Sequence, residues 1–374
     1  MSLSTTFPNI TPSLNLNFLG NNRLDPRITF TRASTTATYV DYDGNIKTAT
    51  NNEPRFDHDP VTLAPLGFLI EESRINLCIY SQDFTQTTWS ASNSTKTTGI
   101  SDPTGGVTAA TITATSVNGS VQNAAATVVS GTTYTVSIWL RRRTGTGAVG
   151  IRAVENINTP VTITSTWARY SLTVTATQTV GRVGVYCSTI GDEVDFWGGQ
   201  LEAGAFATSY IPTTNAAVTR AADVATINTL SPWFNPAEGT LYAKYTTFSV
   251  SQINGTVALS DGTNNNRMII RATNASSQTV FIGVNDTTTV WGGILDSALA
   301  NIVTNSVFAY KLNDIAWVRN GGTVGTDSSA NIPVVNQLRL GVDGGGTFPL
   351  NGYLHRVTYY PRRLTDSELQ ALTK

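Results

Sequence analysis

Three groups of carboxylates could do acid–base work: Glu71/Glu72, the run Asp192, Glu193 and Asp195, and Asp41/Asp43. A glycosidase needs two carboxyl groups roughly 5–10 Å apart, one of them with a raised pKa. Adjacent strand residues point to opposite faces, so Glu71 and Glu72 would diverge while Glu193 and Asp195 would share a face. The plainer reading of all three groups is a solvated strand edge or turn. His58 and His355 are the only histidines, which leaves little material for a triad or a multi-histidine metal site. His58, among Asp57, Asp59 and Pro60, reads as a turn residue, with a metal or pH-linked contact as its alternative. His355 alternates with Tyr353, Val357 and Tyr359 and reads as a packed or interfacial imidazole.

Sugar recognition joins an aromatic face to a few placed amide, hydroxyl or charged groups. Trp89, Trp167 and Trp233 lie beside strand starts or turns, where core packing is the default. Trp139 shares the polar face of its strand with Thr135, Ser137 and Arg141. Tyr186 faces away from Val183, Val185 and Cys187, and Trp291 lies between Thr287-Thr288-Thr289 and Gly292-Gly293. Trp139, Tyr186, Trp291 and Arg141 are therefore the carbohydrate-binding candidates, set against burial under a loop or at a subunit interface. Arg141-Arg142-Arg143 is the one basic cluster, with a solvated strand end, a subunit salt bridge and an anionic glycan as its three readings. Calcium takes six to eight oxygens. Asp261, Asn264 and Asn266 are the metal candidates and Asp343-Gly344-Gly345-Gly346 a second such loop, each lacking a second carboxylate nearby and each readable as a turn. No other cofactor is expected.

A formal charge of −1 and a pI near 6.1 exclude a polyanion-binding surface spread over the whole chain, so nucleic acid is not an expected partner. Cys78 and Cys187 are too few for a disulfide scaffold or a cysteine zinc site, and alternation makes Cys187 a buried free thiol. Met1-Ser2-Leu3-Ser4-Thr5-Thr6 lacks the basic and apolar regions of a leader, and there is no run of about 18 apolar residues. The expectation is a protein made and folded in the cytoplasm, with no membrane insertion.

The elements that must position these residues are strands. Charged residues are only 13% and glycines number 31, and threonine abounds, a composition that favours an all-β fold. Residues 1–77 show short runs only and read as a loop-rich segment that packs on the next domain or on a neighbouring subunit, with a hairpin turn at Asp41-Tyr42-Asp43-Gly44-Asn45. Residues 78–213 alternate: Tyr134, Val136, Ile138 and Leu140 oppose Thr133, Thr135, Ser137, Trp139 and Arg141. Residues 214–235 read as a linker, and a second β-rich unit runs from 236 to 374. Asn320-Gly321-Gly322 marks a hairpin there. The last ten residues read as helical, with Thr365 and Glu368 as a capping box and Leu364 and Leu369 as its staple.

Leu24-Asp25-Pro26, Thr29-Phe30-Thr31-Arg32-Ala33-Ser34, Asn52-Glu53-Pro54-Arg55-Phe56-Asp57, Leu66-Gly67-Phe68-Leu69-Ile70-Glu71-Glu72-Ser73-Arg74 and Asn76-Leu77 form a dense signature. It resembles the N-terminal region of tailed-bacteriophage structural proteins of the fibre or head-spike type. Gln200-Leu201-Glu202-Ala203-Gly204, Ala207-Thr208-Ser209-Tyr210-Ile211-Pro212-Thr213-Thr214 and Val218-Thr219-Arg220-Ala221-Ala222-Asp223 belong to the same resemblance. The 78–213 unit is similar to carbohydrate-binding-module jelly rolls. Glu238-Gly239-Thr240-Leu241, Val318-Arg319-Asn320-Gly321, Leu338-Arg339-Leu340-Gly341 and Gly352-Tyr353-Leu354-His355-Arg356-Val357-Thr358-Tyr359-Tyr360 resemble concanavalin-like, laminin-G-like sandwiches. Trp317 and Arg319 depart from the usual apolar hairpin, which opens a binding or contact role there.

The resemblance implies an N-terminal attachment or oligomerisation segment, a jelly roll and a concanavalin-like sandwich displayed on a virion. Its partners would be other virion proteins and a bacterial surface glycan, its assembly a homotrimer and its role non-enzymatic. The rivals are a capsid-decoration, head-fibre or baseplate protein without glycan binding, which would bury Trp139, Tyr186 and Trp291 between subunits, and a polysaccharide depolymerase. Against the last stands the lack of a repetitive β-helix pattern.

Overall fold

The computed structural model describes residues 8, 10–20, 22–154, 158–250, 253–272, 281–285, 287–293 and 299–374. The fold is all-β, built of antiparallel sheets, and among the described residues there is one short helix, Asp366–Thr373, near the end of the chain. Residues 1–6, read above for a leader, lie outside the described residues.

Two compact units interleave along the sequence. One takes in residues up to Ala33, Asn51–Glu72 and Ala222–Lys374; the other takes in Ser34–Thr50 and Ser73–Ala221. The first 77 residues are thus not a separate segment. Strands Leu14–Asn17, Arg55–His58 and Pro65–Ile70 join Glu238–Thr247, Thr304–Lys311, Ile315–Arg319, Gly325–Asp327 and Gly352–Tyr360 in one sheet, while Thr29–Thr31 extends the other. The physical reason is visible in Leu14–Asn17. Leu14 and Leu16 are buried and Asn15 and Asn17 exposed, an alternation four residues long that can be satisfied only by an existing sheet.

The second sheet of this unit runs Thr29–Thr31, Val224–Ile227, Gln337–Leu340, Asn254–Ser260, Arg267–Ala272, Phe281–Asn285, Thr288–Gly293. Leu241, Tyr245 and Phe308 from the first sheet meet Leu259, Ile270 and Leu338 from the second in one core. The C-terminal helix has its expected capping box, Thr365 with Glu368, and Leu364 and Leu369 are both buried.

Four charged residues of the signature meet inside this unit. Arg55 binds Glu71 at 2.8 Å and Asp223 at 2.5 Å, and Arg32 binds Asp223 at 3.1 Å, with no exposure of any of the four side chains. The backbones of Glu71 and Asp223 are tied as well, since the Glu71 amide donates to the Asp223 carboxylate at 3.0 Å and the Asp223 amide to the Glu71 carbonyl at 3.0 Å. Two cations against two anions leave no net buried charge, the condition under which such a group is tolerated.

The other unit is a sandwich of two five-stranded sheets. One runs Ala168–Thr175, Thr133–Thr144, Glu193–Ala203, Ala109–Ala114, Ser94–Ile100; the other runs Asn158–Val161, Val149–Arg152, Val180–Cys187, Gly119–Thr127, Trp89–Ser92. Val136, Ile138, Leu140 and Phe196 of the first face Val121, Ile151, Val183, Val185 and Cys187 of the second. The hairpin at Asp41–Asn45 also belongs to this unit, between Ala37–Val40 and Ile46–Ala49. Signature residues again act as internal ties. The Asn76 amide nitrogen donates to the carbonyls of Gly199 (3.2 Å) and Ile211 (2.8 Å), and its oxygen accepts from the amides of Cys78 and Leu201, both at 3.0 Å. Glu202 accepts from the Thr208 amide at 2.9 Å and the Thr208 hydroxyl at 2.7 Å, and Gln200 accepts from the Ile211 amide at 2.8 Å.

Candidate functional site

The basic cluster and the acidic run turn out to satisfy each other. Pairing of Thr133–Thr144 with Glu193–Ala203 places Arg141 opposite Asp195. The Arg141 guanidinium binds Asp195 at 2.8 Å, Arg142 binds Asp192 at 3.5 Å, and Arg143 spans Glu193 at 3.8 Å and Asp195 at 3.4 Å. Arg141 also donates to Ser101 at 3.0 Å and lies 4.7 Å over the Trp167 ring. Glu193 and Asp195 do share a face as their spacing predicts, but with Arg143 between them. Arg141 is therefore corrected from a ligand-facing cation to an internal partner, because the register sets Asp195 opposite it. Glu71 lies in the buried ion cluster, and Asp41 accepts from the amides of Asp43 (3.0 Å) and Asn45 (2.9 Å), closing its turn.

Two of the aromatic candidates are committed to packing. Trp291 is 2% exposed, 5.5 Å from Phe308 in the core, so it offers no ring face to solvent. Its position in the terminal strand of a sheet is the reason, since the strand turns this side chain inward. Trp139 is partly buried, edge-on to Trp197 at 5.2 Å and Tyr210 at 5.4 Å, and the Arg169 guanidinium stands 4.5 Å over its ring. Trp317 and Arg319, the departures in the C-terminal hairpin, are each 6% exposed.

Tyr186 is placed as alternation requires. Val183, Val185 and Cys187 enter the core, leaving Arg182, Gly184 and Tyr186 on the outer face of their sheet. Ser120 and Gly150 stand opposite Tyr186 on the two neighbouring strands, and Gln122 and Arg152 stand opposite Gly184. The Tyr186 hydroxyl donates to the Asn118 side-chain oxygen at 2.5 Å. Arg152 donates to Asn158 at 3.0 Å, to the Ser120 hydroxyl at 2.9 Å and to Gln122 at 3.4 Å, which fixes its guanidinium among side chains of two other strands. A Cβ on Gly184 would meet the Val121 carbonyl oxygen at 2.4 Å, so only glycine fits between these side chains.

The electrostatics of this face are one-sided. None of its five strands contains an aspartate or a glutamate. Burial holds Arg152 below the usual arginine range, and the Arg182 charge adds to the effect. Among the described residues Arg182 makes no side-chain hydrogen bond, and its Nη1 is buried without a partner. A phenol ring, two guanidiniums, three amides and a hydroxyl on one surface are the groups that recognise hydroxylated rings. Arg182 was legible from the same alternation that placed Tyr186. Arg152 was not, since its place depends on which strand lies next to Val180–Cys187.

The remaining candidates have structural partners. Asp261 accepts from the Thr263 amide (2.9 Å), the Thr263 hydroxyl (2.6 Å) and the Asn266 amide nitrogen (2.9 Å), and Asn264 accepts from the Gly345 amide (2.9 Å). These oxygens close two turns against each other, and among the described residues no three His, Cys, Asp or Glu side chains gather as a metal site. His355 is 7% exposed and bonded to the Thr246 hydroxyl at 2.9 Å; burial, aided by the Lys244 charge, pushes it down to about 4. Cys187 is buried and free, and burial, then the Asp192 charge, pushes its thiol up to about 12. Among the described residues no helix is long and apolar enough to cross a membrane.

Among the described residues, two clefts can be placed on the unit that includes the C-terminus. One of about 590 Å³ is lined by Ser13, Arg27, Thr29, Asn228, Ser231 and Trp233 among others, and one of about 560 Å³ by residues between Asn15 and Pro26. Their one carboxylate, Asp25, is held by Arg27 at 2.7 Å.

No family model matches the sequence, and no curated protein matches it. Among solved structures the chain is similar to a Ruminococcus gnavus IT-sialidase CBM40 bound to α2,3-sialyllactose, at 19% identity over 37% of this chain and 84% of that one, with a TM-score of 0.33. It is similar to a leech intramolecular trans-sialidase at 19% identity over 37% of this chain and 23% of that one, TM-score 0.31. It is also similar to the NanB sialidase of Streptococcus pneumoniae at 15% identity over 38% and 25%, TM-score 0.30. The chain thus spans about a quarter of each of the latter two enzymes.

Proposed function

We propose that this chain is a bacteriophage virion protein, a tail fibre or spike, that displays its β-sandwich units to bind a glycan of the bacterial surface. The observation that carries the binding role is the outer face of the Val180–Cys187 sheet, whose five strands contain no acid and where Tyr186, Arg152, Arg182, Gln122 and Ser120 stand together. The virion setting rests on the residue signature of the first 77 and of 200–223, and a homotrimer is the assembly expected of such proteins. The signature residues supply internal ties, Arg32, Arg55, Glu71 and Asp223 in one unit and Asn76, Gln200 and Glu202 in the other. Trp139 and Trp291 are packed within their own chain, so they lend nothing to the decoration reading, which wanted them between subunits.

The test is binding of the purified chain to an array of bacterial surface polysaccharides, with Tyr186→Ala beside it. Saturable binding that the variant loses, at an unchanged melting temperature, is the expected result. A folded chain that binds none of the polysaccharides of the phage's host overturns the reading in favour of a decoration or baseplate role.

A further inference from the structure

A second cationic face lies on the unit that includes the C-terminus. In Arg267–Ala272, the residues Met268, Ile270 and Ala272 enter the core, so Arg267, Ile269 and Arg271 face outward. In Gln337–Leu340, Leu338 and Leu340 enter the core and Gln337 and Arg339 face outward. The strand between them, Asn254–Ser260, sets Ala258 opposite both Ile269 and Arg339, and Ser260 opposite both Arg267 and Gln337. Strand spacing and rise put Arg339 about 10 Å from Ile269 across the sheet, and Arg267 about 13 Å from Arg271 along their strand. Ala258, Ile269 and Val284 form a small buried apolar cluster at the centre, the kind of surface on which arginine stems lie with their heads toward water.

Among the described residues, none of these three arginines makes a side-chain hydrogen bond or an ion pair, and all three Nε atoms are buried without a partner. This is unlike Arg55 or Arg141, each of which meets a carboxylate. Burial pushes Arg271 down to about 10, with the Arg267 charge adding and the Asp343 charge opposing. Among the described residues, Asp343 is the carboxylate whose charge reaches Arg267 and Arg271. It is 1% exposed; one oxygen accepts from the amides of Thr347 (2.5 Å) and Phe348 (3.0 Å), and the other has no hydrogen-bond partner. Among the described residues, three guanidiniums thus stand against that one carboxylate. The loop that follows Asp343 is laid close over this face. A Cβ on Gly344 would lie 3.2 Å from the Arg267 stem, and a Cβ on Gly346 would lie 2.8 Å from the Arg339 Nη1. The loops read from sequence as calcium ligands thus border a surface that repels cations.

We propose that Arg267, Arg271 and Arg339 form a second binding site, for a carboxylate-bearing saccharide chain. The guanidinium fork matches a carboxylate with two parallel hydrogen bonds, and a partly desolvated cation without a partner gains most from one. The spacing of the three anchor points calls for several anionic groups on one polymer. The three strands contain no aromatic residue, so their own side chains offer guanidiniums and no ring for stacking on a neutral sugar or a base. The site lies on a different unit from Tyr186 and stands whether or not that face binds a glycan.

The test is calorimetric titration of the full chain with oligogalacturonate, with a neutral galacto-oligosaccharide and with single-stranded DNA, repeated for Arg271→Gln, Arg339→Gln, Arg339→Lys and Tyr186→Ala. The expected result is oligogalacturonate binding that falls about tenfold in each Gln variant, recovers in part in Arg339→Lys, weakens with added salt and is unchanged in Tyr186→Ala. Melting temperatures establish that the variants are folded. Undiminished affinity in both folded Gln variants, binding of DNA as tight as of oligogalacturonate, or no oligogalacturonate binding at all overturns the proposal. Loss of binding in Tyr186→Ala alone would move the acidic ligand to the other face and overturn it equally.

Discussion

Arg55 and Asp223, 168 residues apart in sequence, meet at 2.5 Å where neither side chain is exposed to solvent. Between them they gather Arg32 and Glu71, and so fasten three separate stretches of chain into one unit. Removing one member leaves the others buried and unbalanced. Asp223→Asn should therefore destabilise this unit by about 3–5 kcal/mol, read as a shift of its denaturant midpoint. A change below about 1 kcal/mol would mean that the cluster is hydrated in solution.

The Arg141–Asp195 pairing predicts that Arg141→Ala leaves glycan binding unchanged. Its stability cost should be small beside that of Asp195→Ala, because Asp195 is 1% exposed while the Arg141 side chain is 26% exposed. Array binding and melting of both variants check this. An Arg141→Ala chain that melts normally and no longer binds would restore Arg141 as a contact residue.

Trp291→Ala and Tyr186→Ala should separate stability from binding. The first empties a core position and should cost about 3–5 kcal/mol, while the second should leave the melting temperature within a degree or two. Differential scanning calorimetry of the two variants is the measurement, and the reverse order would contradict the packing described here.

His355 gives the fold a pH dependence whose sign is fixed by burial. Its folded pKa, about 4, lies below the ordinary 6.5, so between these values the unfolded chain binds the proton and the folded chain does not. Its contribution is complete above about pH 6.5 and is lost as pH falls toward 4, amounting to about 3 kcal/mol over the whole window. Stability profiles of the chain and of His355→Gln should converge toward pH 4 and part above it. Parallel profiles would show that His355 is solvated.

Sequence reading succeeded where one strand suffices. The faces of Thr133–Thr144 and Val180–Cys187, the turn at Asp41–Asn45 and the capping box at Thr365 follow from spacing within a few residues. It failed where the answer depends on pairing between distant strands. Leu14–Asn17 looked like part of a loop because four residues are too short for a period to stand out, yet it lines the last long strand, Gly352–Tyr360. Arg141 looked like a free cation because Asp195 is 54 residues away, and Arg152 and Arg339 were passed over because their neighbours come from other strands. Trp291 looked open because glycines follow it, but the glycine that makes room for its buried ring is on the neighbouring strand: a Cβ on Gly283 would meet that indole at 2.1 Å.

The most direct measurement is hydrogen–deuterium exchange of the full chain with and without an oligosaccharide cut from the polysaccharide it binds. Protection centred on Gly119–Thr127, Val149–Arg152 and Val180–Cys187 is the predicted result. Saturating ligand with those three strands unchanged and protection elsewhere would contradict the assignment of the glycan site to the Tyr186 face.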